Sequence, residues 1–92
     1  MSAVRISFEW DEANEAKLLE RHVVSAEEAE QCFFNPKDER SHGDAYLLMG
    51  RTDAGRHLLL VFIKKPGNVI RIFSARDLDD AEKRIFRRRV NK

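Results

Sequence analysis

Arg71, Ser74, Arg76, Lys83, Arg84 and Arg87 crowd into one short stretch of the chain, and they are residue types that hold a phosphodiester. Arginine's planar fork pairs bidentately with two phosphate oxygens, and a serine hydroxyl adds one more donor. Upstream, Arg21 stands beside His22, while Arg51 and Arg56 lie at the two ends of a TDAG turn. An imidazole titrates near neutral pH, so His22 is the natural proton carrier of the set. Work on a polyanion, RNA above all, asks for a group that moves a proton and for cations that hold phosphate charge. No metal site or cofactor is expected, because His22, His42 and His57 stand far apart and Cys32 has no second cysteine.

Each assignment has a plainer rival. His22 also fits as the C-terminal cap of a helix. His42, in Ser-His-Gly-Asp, reads as solvated, and His57, opening an apolar run, reads as a strand-edge residue rather than a base. Arg71 and Arg76 could pair with Asp77, Glu82 or acids of the first half, and Ser74 could bond to backbone. Lys83, Arg84 and Arg87 fit either phosphate positioning or a solvated helix face. Trp10 and Tyr46 read as burying against the core rather than stacking on bases, and Cys32 as a buried, inert thiol.

The elements that must position these groups follow from periodicity. VRISFE (4–9) alternates apolar and polar residues as a strand does. Asp11 can cap a helix over about 12–22, and Ser25-x-x-Glu28 is a capping box for a second helix ending near Phe34, before Asn35-Pro36. KDERSHGD reads as a loop. AYLLMGR, RHLLLVFIK and VIRIFSA then read as three strands, separated by TDAG and PGN turns. Asp79-x-x-Glu82 opens a last helix from about Asp80 to Arg88, with Ala81, Glu82 and Ile85 on its packed side, Phe86 at the margin, and Lys83, Arg84 and Arg87 opposite. Strict alternation would point Arg71 and Arg76 to different faces unless a bulge re-aims one of them. The expected architecture is α+β, an antiparallel sheet in the order β-α-α-β-β-β-α with helices packed on it.

The 92 residues suit one domain, 1–92. Residues 1–50 hold 5 Lys/Arg against 11 Asp/Glu and residues 51–92 hold 12 against 5, so charges of −6 and +7 hide behind a net +1. Such a chain either pairs its halves across the fold or presents a basic face to an anion. No apolar run reaches the roughly 20 residues of a membrane helix, and MSAVRISFEW has no signal-like apolar core, so the expectation is a cytoplasmic protein without membrane contact.

FEWDEANEAK, ERHVVSAEEAEQCFFNP, GRTDAGRHLLLVFIKK and IRIFSARDLDDAEKRIF together resemble the successive signatures of the BrnT family of toxins from bacterial type II toxin-antitoxin modules. The resemblance runs from Phe8 to about Arg87. It implies a RelE/ParE-like fold, a small curved sheet with helices on one side. It also implies a metal-independent ribonuclease that inhibits translation and is neutralised by a cognate antitoxin carrying a DNA-binding ribbon-helix-helix domain. On that reading His22, Arg71, Ser74 and Arg76 act at the scissile phosphate, and Arg21, Arg51, Arg56, Lys83, Arg84 and Arg87 bind RNA. The chain departs from the family pattern at Arg21 and Val23, where lysine and glycine are usual, and at Phe86, where tyrosine is. A homologue with weakened cleavage that acts as a binding module is the alternative.

Overall fold

The side chain of Asp11 accepts the Asn14 N–H at 2.7 Å and starts the first helix, α1 (Glu12–His22). The computed structural model in which this is seen describes residues 5–90. At its other end α1 stops on Val23, whose φ of 53° and ψ of 41° lie in the left-handed region that a β-branched residue rarely enters. Ser25 and Glu28 satisfy each other's backbone N–H, both at 3.1 Å, and launch α2 (Ala26–Gln31). This helix ends before Phe34: Phe33 and Phe34 donate to Glu30 and Gln31 three residues back, so the chain tightens into turns before Pro36.

The strands are β1 (Ser7–Phe8), β2 (Asp38–His42), β3 (Ala45–Arg51), β4 (His57–Lys65) and β5 (Val69–Asp77), followed by α3 (Asp80–Val90). They form one sheet in the order β1-β5-β4-β3-β2. Two expectations need correction. The polar DERSH segment, read as loop, is a strand paired antiparallel to β3, so four strands follow the helices rather than three. Its polarity comes from its place at the sheet's edge, where most of its side chains meet water. The sheet is also mixed, because β1 runs parallel to β5, pairing Ser7 with Val69 and Phe8 with Ile70. The expected first strand is correspondingly short, and Val4 lies outside the described residues.

One face of the sheet carries Leu48, Leu58, Leu60, Phe62, Ile70, Ile72 and Ala75, all buried against Leu18 of α1 and Val24, Ala29, Cys32 and Phe33. Burying a leucine in such a core contributes about 2 kcal/mol. Gly50 is required there, since a β-carbon on it would stand 2.9 Å from the Cys32 Cβ and 2.9 Å from a Leu48 methyl. Burial pushes the Cys32 thiol up to about 12, so this cysteine is inert, as the sequence suggested. The Pro66-Gly67 hairpin and the turn through Gly55 both use positive φ, 82° at Gly67 and 92° at Gly55.

The third helix comes over the end of the opposite face. Its anchor is Phe86, 3% exposed, which meets the His57 ring edge-on at 5.4 Å between centroids. The expected packed side shifts accordingly: Phe86 is its centre, Ala81 is exposed, and Arg89 turns toward Asp38 of β2 at 3.8 Å. The helices therefore lie on both sides of the sheet rather than one.

Candidate functional site

β5 meets β4 through a bulge. Val61 pairs with Ser74 but Phe62 pairs with Ile72, which leaves Phe73 without a partner. One extra residue resets the alternation. Arg71 opposite Ile63, Ser74 opposite Val61 and Arg76 opposite Leu59 thus share one face, the one turned away from α1 and α2. Without the bulge, Ser74 and Arg76 would turn into the core.

Sharing a face does not make these arginines available. Arg71 donates to Glu9 at 3.1 Å and to Asp11 at 2.8 Å. Arg76 holds Glu82 in a fork, at 2.7 and 2.8 Å, and reaches the Asp77 carbonyl at 3.1 Å. The Arg76 fork, then the Asp79 N–H, hold the Glu82 carboxyl down to about 2. Along β4 their opposite numbers are four residues apart, about 13 Å at strand rise. Ser74 is half-buried.

Arg56 crosses to the other face and is committed more fully. Its guanidinium forks onto Asp77 at 2.8 and 3.0 Å and also reaches the Val23 carbonyl at 2.6 Å, Glu28 at 3.2 Å and the His22 carbonyl at 3.3 Å. Those bonds raise its affinity for its proton, the Asp77 fork foremost. It ties the junction of α1 and α2 to the end of β5. His22 ends α1 on this same side, half-buried, with Arg21 exposed beside it. The structure therefore separates His22 and Arg21 from Arg71, Ser74 and Arg76 by the thickness of the sheet.

A different group of the named residues does converge. Arg51 and His57 are cross-strand partners where β3 and β4 leave the turn, and Lys83 and Arg87, one helical turn apart on α3, flank Phe86 above His57. Burial first, then the charges of Lys83, Arg51 and Arg87, hold the imidazole below its ordinary value. Among the described residues none of these three cations forms a salt bridge, unlike Arg56, Arg71 and Arg76. Arg84, Arg87 and Arg88 line an open hollow on the outer side of the same helix. Sequence reasoning assigned His57 to a strand edge and passed over Arg88. The local signals, the TDAG turn and the four-residue spacing of Lys83 and Arg87, do not reveal the convergence, which depends on the register that pairs Arg51 with His57 and on where α3 lies.

Trp10 donates its indole N–H to Glu30 at 2.7 Å, Tyr46 stacks on Phe62 at 5.5 Å, and His42 is exposed at the end of β2. Among the described residues no three His, Cys, Asp or Glu side chains gather as a metal site would require, and no helix is long and apolar enough to cross a membrane.

The α+β domain stitches its acidic first half to its basic second half and, among the described residues, leaves Arg51, Lys83 and Arg87 without a salt bridge around His57. The family described as "Ribonuclease toxin, BrnT, of type II toxin-antitoxin system" matches residues 10–82, and the chain belongs to it. No curated protein matches the sequence. Membership makes the chain a ribonuclease toxin by family, with RNA as the target and a protein antitoxin as the partner.

Proposed function

We propose that this chain is a metal-independent endoribonuclease that inhibits translation in the bacterial cytoplasm by cutting RNA. A cognate antitoxin with a ribbon-helix-helix DNA-binding domain holds it in check. The observation that carries the reading is the set of uncompensated cations, Arg51, Lys83, Arg84, Arg87 and Arg88, at one end of a domain belonging to the ribonuclease toxin family. A single-stranded polyanion satisfies such a track through its phosphates. Arg71 and Arg76 join it by exchanging a carboxylate for a phosphate, and Ser74 adds a donor between them. Arg56 keeps the fold beneath.

The test is incubation of the purified chain with labelled RNA in EDTA, with and without the antitoxin encoded beside it. The expected result is specific cutting that survives EDTA and stops when antitoxin is added. Intact RNA, bound in a salt-sensitive way by well-folded protein, would instead favour a binding module that has lost cleavage.

A further inference from the structure

We infer that Arg51, Lys83 and Arg87 hold the scissile phosphate, and that His57 is the base that takes the 2′-hydroxyl proton. This deepens the ribonuclease reading and rests on it. Three observations carry the inference. The three cations come from two elements, β3 and α3, and converge on one imidazole without forming a salt bridge among the described residues, the Asp77 carboxylate near Lys83 being forked by Arg56. A folded protein that gathers uncompensated like charges lowers their repulsion by taking an anion between them. The His57 ring is fixed edge-on to Phe86 at 5.4 Å, yet its nitrogens form no hydrogen bond among the described residues and are not sealed from solvent. A positioned imidazole with a free nitrogen beside an anion site has the geometry of a general base.

The charged groups that face the ring are Arg51 on β3 and Lys83 and Arg87 on α3, while Asp77 on β5, near Lys83, is occupied by Arg56. Burial first, and then those cations, favour the neutral imidazole, the form that accepts a proton. The 2′-hydroxyl gives its proton to His57 and its oxygen forms a bond to phosphorus. The bond from phosphorus to the 5′-oxygen breaks, and that oxygen takes a proton from the Lys83 ammonium. Arginine is too weak an acid for this step, so Arg51 and Arg87 hold the equatorial oxygens instead. The products are a 2′,3′-cyclic phosphate and a 5′-hydroxyl end. His57 and Lys83 then exchange protons with water.

Two measurements on the full chain test this. The first is an NMR titration of the three histidines with and without an RNA analogue carrying 2′-deoxyribose at the cut site, the His57 signal being identified by its loss in His57→Gln. A phosphate among the three cations removes their repulsion, so the His57 pKa rises on binding. A His57 titration unmoved by a bound oligonucleotide overturns the site, whether or not the chain cleaves. The second is cleavage by His57→Gln and His57→Ala, with folding checked by thermal unfolding. A fall of about 100-fold or more is expected at unchanged RNA affinity, as for the loss of a general base. Added imidazole, filling the space beside Phe86, restores cutting in the alanine variant. Cutting by His57→Gln at the wild-type rate overturns the base role, as does a loss that imidazole fails to repair. A wild type that cuts nothing removes the ribonuclease reading and the base role together, while the titration still decides the anion site.

Discussion

Val23 is the residue whose backbone is most at odds with its side chain. It closes α1 at φ 53° and is 68% exposed, so little packing compensates for its left-handed conformation. Glycine adopts that conformation freely, and the net gain from Val23→Gly is expected to be about 1 kcal/mol after glycine's greater unfolded-state entropy. A urea midpoint that rises without a change in slope would confirm it, and a fall would show that the valine side chain holds the junction. Acid acts on single residues as well. Glu82 is held from 4.5 down to about 2, chiefly by Arg76, and Glu9, Asp11, Glu28 and Asp77 are lowered by their own partners. A depressed carboxyl stabilises the fold above its unfolded value, and that stabilisation disappears as pH falls through the folded one. The melting temperature should therefore hold steady near neutrality and drop between about pH 4.5 and 2, a loss that Glu82→Gln makes smaller.

Among the elements, the bulge in β5 decides which side of the sheet the arginines occupy. Deleting Phe73 makes Ile72 and Ser74 consecutive opposite Phe62 and Val61, so the strand alternates without a bulge, Ala75 stays inward, Ser74 and Arg76 stay outward, and cooperative unfolding should be kept. Phe73→Ala keeps the extra residue and should unfold cooperatively with both arginines still outward. Loss of cooperative unfolding in the deletion but not in the alanine variant would show that the fold needs the extra residue itself. The sequence made the capping boxes legible, because Ser25-x-x-Glu28 and Asp79-x-x-Glu82 each satisfy two backbone groups by local geometry alone. It made β3, β4 and β5 legible through their apolar runs and their glycine-bearing turns. It hid β2, whose DERSH carries no apolar alternation because it lies at an edge. It also hid the convergence of Arg51, His57, Lys83 and Arg87, since register and helix placement are long-range facts. The bulge was foreseen only as the condition under which Arg71 and Arg76 could share a face.

For the molecule as a whole, the split of −6 and +7 is largely resolved by pairing across the halves, with Arg56 on Glu28, Lys64 on Glu39, Lys65 on Glu9 and Arg71 on Glu9 and Asp11. The positive remainder sits on α3 and beside it, and it sets the response to salt. Each phosphate contact with single-stranded RNA adds about 0.7 to the slope of log affinity against log salt. Arg84→Ala with Arg88→Ala should flatten that slope by about 1.4. Arg71→Ala, which first frees two carboxylates, should change it less. An unchanged slope in the double variant would place the RNA elsewhere. The sheet ends on one side with two residues of β1 and on the other with Asp38, Glu39, Arg40, Ser41 and His42 of β2. A second molecule offering its own strand there would have to stack charge on charge to continue the ladder. The polar string that conceals a strand from a reader of the sequence also guards the chain against growth into fibres when it accumulates.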